Sequence, residues 1–521
     1  MTIHRHSNKR PVIFLFCIIV LVLLASCGAD ADDYNDNDQI SEGDYVSYAN
    51  QTYAGNGNDY DNDNDRNDDY VLTQPIHLPF TGDTTAYEFL WSDTRDRHWE
   101  EDIIYFADTL LRRHPLLISG TGAVSVRGAF DLTNFQPTIR LTRGSEHFDE
   151  ELKAEFLKQI NDLINRVPDL EDLEIVMGLS RITALIGDSH TSITPVLPPI
   201  EDIRFLPIHF TVSFEEGHPG GLGQIPNVVH IWGAFDEFES LINTRLLAIN
   251  GIYTEELIER LRAISPYENE ETLHNGAATL MIKNVLKYLD ISDNNETAIL
   301  TVKDIDGVIL DAEVPFVGST DISGRLLFFE RDVLYQSRPD ENFWFEYFPE
   351  ESLMYVRISA WRDMPGMTSS AFLVNLISTI TEKQRIETFV LDQRGNGGGV
   401  GSLIFFQLIR LVYENRDLIG SIYIAVDHGT ASAAVDSTYL LYNAIEDSIL
   451  IGSPSAGEPY MFGDMLWGVL PNSGVMFTFG TGATFSPDQT PSQLIPDILI
   501  YRTLDDFINN RDAVMEYIRR M

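Results

Sequence analysis

One segment in the second half of the chain, residues 391–399, constrains the fold more than any other. It reads LDQRGNGGG and directly follows the apolar run Thr388–Val390. A short apolar run of this kind predicts a buried strand. Because glycine has no Cβ, the backbone after this strand can approach another group closely and present free N–H donors. Such donors can hold an anion or a developing oxyanion. The segment therefore predicts a buried strand with a functional site at its end.

A second segment, about thirty residues further on, places a serine among small residues. Residues 429–434 read GTASAA, and Ser432 stands where a helix is predicted to begin. Either segment alone also fits a tight turn or a capped helix. In combination they fit acyl transfer, because the serine supplies a nucleophile and the N–H groups can stabilise an oxyanion. In this order, the two segments predict an active site.

The two segments resemble the core of the tail-specific, or C-terminal processing, serine proteases, a family that includes the tricorn core protease. That family carries Asp-x-Arg-x-Asn-x-Gly-Gly at a strand end, which residues 392–399 match, and Thr-Ala-Ser-Ala around its nucleophile, which residues 430–433 match. The resemblance extends from about Trp99 to the C-terminus. It implies a multidomain α/β protein, α+β overall, whose catalytic core has a partly parallel sheet and resembles the ClpP/crotonase-like fold.

The resemblance also implies roles for three residues of these segments. Ser432 would be the nucleophile, and the N–H groups of Gly398 and Ala433 would form the oxyanion hole. The sequence is compatible with these roles, because the free N–H groups at a helix N-terminus favour an anion. Alanine at position 433 also leaves the hole uncrowded, whereas phenylalanine or leucine would fill it.

The general base is predicted from a second part of the family pattern. The better-known branch uses a lysine about 25 residues downstream of the serine. Glu458 stands at that place here, and no lysine follows Lys383, so a Ser–Lys dyad is excluded in this segment. The other branch, which includes tricorn, has a Ser-His pair in the preceding domain, and Ser189-His190 matches that pair. His190 is therefore predicted as the base and Ser189 as its assistant.

Two questions about this base stay open in the sequence. On the residues alone, His190 fits equally well as a structural histidine bonded to Asp188, and His428 is a rival base. The tricorn glutamate that orients the histidine corresponds to a position near Thr490, which cannot carry a negative charge. Glu458 is the predicted orienting acid, and Asp436, Asp464 and Asp488 are alternatives. A Ser–His dyad without an orienting acid is a further possibility.

The first residues of the chain resemble a bacterial lipoprotein signal. A basic start is followed by an apolar run of 14 residues, 11–24, which is too short to span a membrane comfortably. The last residue of this run, Leu24, begins the segment Leu-Ala-Ser-Cys, residues 24–27. Residues 1–26 are therefore predicted to be removed. Lipid on Cys27 would then tether the protein to a bacterial membrane outside the cytoplasm, at the cell surface or in the periplasm. Residues 27–71, rich in Asp and Asn, predict a disordered tether.

Residue patterns divide the rest of the chain into three predicted domains. Residues 72–200 predict a helical N-terminal domain, because apolar side chains recur at helical spacing from Trp99 onward. Residues 201–315 resemble part of a PDZ domain, with a strand from Arg245, an Asn-Gly turn and a helix from Thr254; an insertion used only for packing is the alternative. Residues 316–521, in which strands and helices alternate, predict the catalytic domain.

These observations predict a membrane-tethered serine-type endopeptidase or tail-specific peptidase that acts on peptides or protein C-termini. The formal net charge of −43 argues against nucleic acid as a partner, because phosphate binding needs a basic face. No organic cofactor and no metal is expected, since cysteine and histidine do not cluster at ligand spacing. The missing lysine and late glutamate leave a catalytically inactive lipoprotein that binds peptides or cell-wall fragments as the alternative. An esterase with the same nucleophile is a third interpretation.

Overall fold

A computed structural model of the chain describes residues 94–118, 123–131, 136–143, 148–198, 203–215, 227–293, 295–318, 326–329, 331–383, 385–399, 402–460, 462–484, 491 and 493–521. The helices are α1 (Arg95–Arg113), α2 (Glu150–Arg166), α3 (Asp172–Ile186), α4 (Thr254–Arg262), α5 (Glu270–Asn275), α6 (Lys283–Tyr288), α7 (Ser369–Lys383), α8 (Ser402–Glu414), α9 (Ala433–Ala444), α10 (Leu504–Ile508) and α11 (Ala513–Ile518). The predicted signal peptide, the tether with Cys27, Asp488 and Thr490 lie outside the described residues.

The strands of the described residues fall into five sheets. They are β1 (Ala123–Asp131), β2 (Gln136–Arg143), β3 (Ser192–Ile193), β4 (Arg204–Phe205), β5 (Ile208–Ser213), β6 (Val228–Phe235), β7 (Arg245–Ile249), β8 (Ile252–Tyr253), β9 (Thr297–Lys303), β10 (Ile309–Pro315), β11 (Val317–Gly318), β12 (Leu326–Phe328), β13 (Phe343–Phe348), β14 (Leu353–Ile358), β15 (Ile386–Asp392), β16 (Ile419–Val426), β17 (Ser448–Gly452), β18 (Phe462–Gly463), β19 (Leu466–Val469), β20 (Met476–Phe479), β21 (Gly482–Thr484) and β22 (Ile498–Leu499).

Both sequence motifs lie at one edge of a six-stranded sheet with the order β13-β14-β15-β16-β17-β22. Strands β14, β15, β16, β17 and β22 run parallel to one another, and β13 is antiparallel to β14. Strand β14 is wholly buried, and β15 and β16 are mostly so, which is why they form continuous apolar runs in the sequence. Asp392 pairs with Ala425 at the carboxyl ends of β15 and β16. The two motif loops therefore start side by side, where open α/β sheets place their sites.

Helices α7, α8 and α9 cover this sheet with apolar side chains. Leu376, Phe405 and Leu441, one from each helix, belong to the same buried cluster as Phe389 and Ile424 of the strands. Burial of such side chains is the main favourable term for the packing of helices onto a sheet. The region matches the alternation of strands and helices that the sequence predicts for residues 316–521.

Helices α1, α2 and α3 form the predicted helical region near the N-terminus. Their apolar faces bury Trp99, Phe106 and Phe156 in one core. Helix α3 ends at Gly187, whose φ of +70° is the left-handed conformation that commonly stops a helix. Among the described residues, no helix is both long enough and apolar enough to cross a bilayer.

The N-terminal region also contains strands that the helical prediction did not include. β1 and β2 form an antiparallel pair, and β1 pairs in parallel with β21. The short strand β3 pairs with β20. Strands from the C-terminal segment thus complete two sheets that begin in the N-terminal segment. Pairings between such distant segments leave no local pattern in the sequence, so periodicity alone could not predict them.

The middle region is built on a seven-stranded sheet with the order β10-β9-β7-β6-β12, to which β5 and β8 add. The predicted strand, Asn-Gly turn and helix are present as β7, Asn250-Gly251 and α4. Asn250 and Gly251 have φ values of +49° and +81°, which is the backbone of a tight two-residue hairpin turn. Helix α4 buries Leu257 and Leu261 in the core of this region. The likeness to a PDZ domain stays a prediction.

Candidate active site

Hydrogen bonds fasten the two motif loops to each other. The N–H of Ala431 donates to the carbonyl oxygen of Asn396 at 2.9 Å. The N–H of Gly395 donates to Asp427 Oδ1 at 2.7 Å. These contacts hold the glycine-rich loop against the turn that carries the serine, so the relative position of the two motifs is fixed by the backbone.

The Asp and Arg of the first motif anchor its loop from within the core. Arg394 donates to Asp392 Oδ2 at 2.6 Å and to Asp512 Oδ1 at 2.7 Å. The hydroxyl of Tyr355 donates to Asp392 at 2.8 Å. Burial alone would raise the pKa of Asp392, but the Arg394 guanidinium outweighs it and lowers this pKa. Asp392 and Arg394 therefore serve as a buried ion pair that shapes the loop.

Ser432 occupies the N-terminus of α9 in a backbone conformation that non-glycine residues rarely adopt. Its φ is +52° and its ψ is −131°. Such strain at a strand-to-helix turn is typical of an exposed nucleophile. The opposite loop approaches very closely, because a Cβ on Gly398 would lie 2.7 Å from the Cβ of Ser432 and 2.9 Å from the backbone nitrogen of Ala433. Only glycine fits at position 398, where φ is +105°.

The structure brings His190 against this serine. The Nε2 of His190 lies 3.0 Å from Ser432 Oγ, although the two residues are 242 positions apart. His190 is buried and follows the glycine that ends α3. With the ring proton on Nδ1, Nε2 is the acceptor that a general base offers to a serine hydroxyl. The two predicted partners are therefore in the arrangement that the prediction requires.

A carboxylate faces the other nitrogen of the imidazole. Asp188 Oδ1 lies 3.5 Å from His190 Nδ1 and accepts the backbone N–H of His190 at 3.0 Å. Its Oδ2 contacts His114 Nε2 at 3.1 Å and accepts the Thr191 hydroxyl. Burial alone would raise the pKa of Asp188, but the hydrogen bonds from His114 and His190 outweigh it and hold this pKa well below its ordinary value. A negative charge therefore stays beside His190 at neutral pH.

Glu268 is a member of this cluster that the sequence reasoning missed. Its Oε1 accepts the Ser189 hydroxyl at 2.5 Å and lies 3.8 Å from His190 Nδ1. Burial raises the pKa of Glu268, the charge of His190 opposes this rise, and the charge of Asp188 adds to it. Glu268 belongs to the loop before α5 in the middle region, and no motif around it signals a functional residue.

The predicted orienting acid, Glu458, reaches the cluster through its backbone. Its N–H donates to Glu268 Oε2 at 3.0 Å. Burial and the charge of Glu268 raise the pKa of the Glu458 carboxyl to about 8, so this carboxyl is mostly neutral at pH 7 and is a poor stabiliser of an imidazolium. The structure sets the carboxylates of Asp188 and Glu268 against His190 Nδ1 instead.

The rival base, His428, has a different neighbour. Its Nε2 lies 3.3 Å from Arg502 Nη2. Burial and the Arg502 charge lower the pKa of His428 to about 4. Of the other acids considered for the orienting role, Asp436 lies in the first turn of α9 and Asp464 lies beside Gly482. The contact with Ser432 favours His190 over His428.

The two predicted oxyanion donors differ in their present partners. Ala433 is the first residue of α9, so its N–H has no acceptor within the helix. The N–H of Gly398 donates to the side-chain oxygen of Asn396 at 2.9 Å. One donor is thus available by position, whereas the other must be shared with, or released by, Asn396 when a carbonyl oxygen arrives.

The acids around His190 could also hold a metal ion. One ligand atom each from Asp188, His190 and Glu268 lies within 4.8 Å of the others. One imidazole and two carboxylates form a donor set that suits Zn²⁺. A metal bound there would take the ring nitrogen that Asp188 faces, so it would compete with the orienting role of the acids.

Comparison of the sequence with protein-family models gives no match, and neither does comparison with curated protein sequences. Solved structures do resemble the chain. Mature CPAF in complex with lactacystin superposes with a TM-score of 0.51 and 11% identity, over 82% of this chain and 97% of CPAF. Mature CPAF alone gives a TM-score of 0.51 and 12% identity, over 81% of this chain and 96% of CPAF. CPAF belongs to the tail-specific protease family.

The chain has the fold of the tail-specific proteases. At this level of identity the similarity concerns the fold, and it confirms a mixed α/β fold with a partly parallel sheet. The likeness to the ClpP/crotonase-like fold stays a prediction. A proposed S41 protease from Bacteroides fragilis NCTC 9343 aligns with 80% of this chain and 96% of its own length at 11% identity, with a TM-score of 0.33. In this chain the two motif loops lie at the carboxyl edge of the mixed sheet, where His190 contacts Ser432.

Proposed function

We propose that the chain is a serine-type peptidase with Ser432 as nucleophile and His190 as general base. One observation carries the proposal, the 3.0 Å contact between His190 Nε2 and Ser432 Oγ at the start of a helix. Two residues from distant segments meet there in the geometry that proton transfer from a serine hydroxyl needs. The serine proteases among the structural neighbours support the same class.

In the proposed reaction, Ser432 Oγ attacks the carbonyl carbon of a peptide bond while His190 Nε2 takes the hydroxyl proton. The ionised Asp188 stabilises the imidazolium that forms, since the two groups are 3.5 Å apart. His190 then gives the proton to the leaving amine as the C–N bond breaks, which leaves an acyl group on the serine. Water, deprotonated by the same histidine, attacks this ester. The imidazolium then gives the proton to Ser432 Oγ as the acyl–oxygen bond breaks, which releases the second product and restores both residues.

Negative charge develops on the carbonyl oxygen during both attacks. The N–H groups of Ala433 and Gly398 are the proposed donors to it. Because the Gly398 N–H donates to Asn396 in this structure, the proposal requires the substrate oxygen to draw this N–H away from the asparagine. Removal of one such donor typically lowers kcat by about 100- to 1000-fold.

Glu268 and Ser189 act by positioning in this proposal. The Glu268 carboxylate holds the Ser189 hydroxyl and the Glu458 N–H beside the histidine. Its raised pKa makes it a weaker source of negative charge than Asp188 at neutral pH. We therefore assign the charge that stabilises the imidazolium chiefly to Asp188.

The alternative is a catalytically inactive lipoprotein that binds peptides or cell-wall fragments in the same groove. It is motivated by the missing lysine and late glutamate of the family. The contact between the histidine and the serine, backed by an ionised carboxylate, favours the enzyme, because a binding groove needs neither. An esterase would use the same nucleophile and differs only in the substrate it accepts.

We further propose peptides or protein C-termini as the substrate class, and a location on a bacterial membrane outside the cytoplasm. The first rests on the motifs, and the second on the lipoprotein-like signal and Cys27. Expression in a bacterium fed a radioactive or clickable fatty acid tests the location. The wild-type chain should carry the label, and Cys27→Ser should not.

The catalytic proposal is tested by a fluorophosphonate probe on the purified full chain, with mass spectrometry of the labelled peptide. We expect label on Ser432, loss of label in His190→Ala, and normal labelling in Ser370→Ala, which alters an exposed serine of α7. A folded wild-type chain that takes no label would favour the binding protein. Because CPAF binds lactacystin, competition by that compound is a second readout of the same serine.

A further inference from the structure

A cavity rich in arginine lies beside the motif loops but does not include the proposed catalytic residues. The empty space in and around it is about 380 Å³, a figure that includes open solvent at its mouth. Residues that line it include Arg331, Tyr335, Arg394, Arg502, Arg511 and Asp512. Four guanidinium groups around one cavity are unusual in a chain whose formal net charge is −43, because acids to pair with them are plentiful.

Arg331 is buried there without an ion-pair partner among the described residues. It is 7% exposed, and its guanidinium donates to the carbonyl oxygens of Asp506, Phe507 and Arg511 at 3.2, 3.3 and 2.9 Å. Burial lowers the pKa of Arg331. A buried cation that only neutral groups compensate, here carbonyl oxygens and the Tyr335 hydroxyl, is costly, and a nearby anion would reduce that cost.

Arg502 is a second cation of the cavity with no carboxylate within ion-pair distance in the described part of the chain. It donates to the carbonyl oxygen of Val212 at 3.1 Å and contacts His428. Its Nε is buried and has no hydrogen-bond partner among the described residues. This guanidinium therefore has an unused donor and an unbalanced charge.

Tyr335 links the two cations and adds a donor of its own. Its hydroxyl oxygen accepts from Arg331 Nη1 at 2.7 Å and from Arg502 Nη1 at 3.4 Å. Since both arginines can only donate, the hydroxyl proton must point to another group, and the described residues offer no acceptor within hydrogen-bonding distance of it. An anion in the cavity would provide that acceptor.

The carboxylates that line the cavity are already engaged. Asp512 pairs with Arg394 at 2.7 Å, and Asp506 pairs with Arg511 at 3.1 Å. Asp427 accepts the N–H groups of Gly395 and Gly429 through one oxygen. Among the described residues Asp427 has no cation within ion-pair distance, and its N–H contacts hold it in the loop. Arg331 and Arg502 are the lining cations that no described carboxylate pairs with, so their guanidinium groups are the ones that an anion in the cavity would contact.

We propose that this cavity is a binding site for a small oxyanion, held by Arg502 and the Tyr335 hydroxyl and by the field of Arg331. Guanidinium groups bind carboxylates and phosphates through charge-assisted hydrogen bonds. Arg511 is half exposed, so the cavity is reachable from solvent on its side. The site is separate from the chemistry at Ser432 and stands whether or not that serine is a nucleophile.

Such an oxyanion has two sources, a free inorganic ion or the carboxylate of a bound peptide. Isothermal titration calorimetry on the purified full chain distinguishes them. One arm titrates inorganic phosphate at constant ionic strength set with chloride, and the other compares a short acetylated peptide that ends in a free carboxylate with its C-terminal amide. Saturable binding of phosphate indicates the free ion, and binding of the peptide acid but not the amide indicates the peptide.

Two variants and one control make the assignment specific. Arg502→Gln and Tyr335→Phe should each weaken binding about tenfold or more, because each removes a donor to a charged group. Arg385→Gln changes a surface arginine that is 76% exposed and should leave binding unchanged. Arg331 is kept, since its three carbonyl contacts make a folding defect the expected result of replacing it.

Saturable binding of either ligand that falls in both variants and persists in the control supports the site. The proposal is overturned by two results, the absence of saturable binding of phosphate and peptide acid, or equal affinity in wild type and Tyr335→Phe. A thermal melt of each variant shows that it is folded before titration. Fluorophosphonate labelling of Ser432, measured in parallel, reports the proposed catalytic function separately.

Discussion

The energy by which the Asp188 charge stabilises the His190 imidazolium follows from the distance between the two groups. Replacement by asparagine keeps the shape of the side chain. It also leaves an oxygen that can accept the backbone N–H of His190, whose nitrogen lies 3.0 Å from Oδ1. It removes the negative charge 3.5 Å from His190 Nδ1. With an effective dielectric constant of about 20, a unit charge at that distance interacts with the imidazolium by about 5 kcal/mol.

That interaction exists fully only when His190 is protonated, so its loss falls on the transition state. Each 1.36 kcal/mol corresponds to about a factor of ten in rate. Because the carboxylate charge is spread over two oxygens, the loss should be somewhat smaller than this interaction energy. We therefore expect the rate of labelling to fall by about a thousandfold. Asp188→Asn should leave ground-state binding nearly unchanged, since Asp188 is buried behind the histidine.

The assay is the second-order rate of fluorophosphonate labelling of Ser432, followed by intact-protein mass spectrometry at pH 7. It needs no knowledge of the natural substrate. Glu268→Gln is the matched variant, because its carboxylate lies 3.8 Å from the same nitrogen but has a raised pKa, and it should slow labelling less than Asp188→Asn does. A folded Asp188→Asn variant whose labelling rate is within threefold of wild type would refute the reasoning. A larger loss of rate in Glu268→Gln would show that Glu268, and not Asp188, supplies the charge that stabilises the imidazolium.

Three further predictions test other parts of the site. Gly398→Ala should slow labelling by about 100-fold or more, because the added Cβ would lie 2.7 Å from the Cβ of Ser432. Gly366→Ala is the control for backbone strain, because Gly366 has a φ of +83° but no atom within 4 Å of an added Cβ. This variant should label normally. The Glu458 carboxyl has a pKa raised to about 8 in the folded protein. The folded state therefore keeps this proton at a pH where the unfolded state has lost it, so the free energy of unfolding should fall as pH rises from about 4.5 to 8. Glu458→Gln should raise Tm at pH 8 but not at pH 4.5. Arg394→Met leaves Asp512 without its cation and Asp392 with only the more distant Arg357, at 3.9 Å. It should lower the free energy of unfolding in urea by about 3 to 5 kcal/mol, whereas Arg410→Met, at an exposed pair, should change it by under about 1 kcal/mol.

Local sequence patterns predict the elements around the site well, for a physical reason. The buried strand predicted at Thr388–Val390 lies within β15, and the helix predicted to begin at Ser432 is α9, whose first residue is Ala433. Buried parallel strands must be apolar throughout, and helices that cover them must be apolar on one face. The ends of these elements lie close to the predicted ones because glycine and charged residues interrupt these patterns where the chain leaves the core.

The contact between His190 and Ser432 could be expected only through the family motifs. No spacing rule relates two residues that are 242 positions apart, and the residues alone left His428 as a rival. Their contacts distinguish the two histidines, because His428 contacts Arg502 and His190 contacts Ser432. The resemblance thus supplied long-range information that composition and periodicity do not hold.

Glu268 shows where such information ends. It stands in a loop between Tyr267 and Asn269, with no glycine nest and no motif around it. Its importance arises from tertiary packing, which sets its carboxylate between the Ser189 hydroxyl and the Glu458 N–H. The bond from the Gly398 N–H to the Asn396 side chain is likewise invisible in the sequence, because either residue fits its motif without that contact.

The proposed active site joins three separate parts of the chain, and the middle region is one of them. His190 follows α3, Ser432 starts α9, and Glu268 comes from the loop before α5. The neighbouring Asn269 side chain donates to the carbonyl oxygen of Ser455 at 3.3 Å, which fastens that loop to the segment after β17. A displacement of the middle region would therefore withdraw Glu268 from the residue that precedes His190. The packing of the middle region, as well as the motif loops themselves, then determines whether the base is held against the serine.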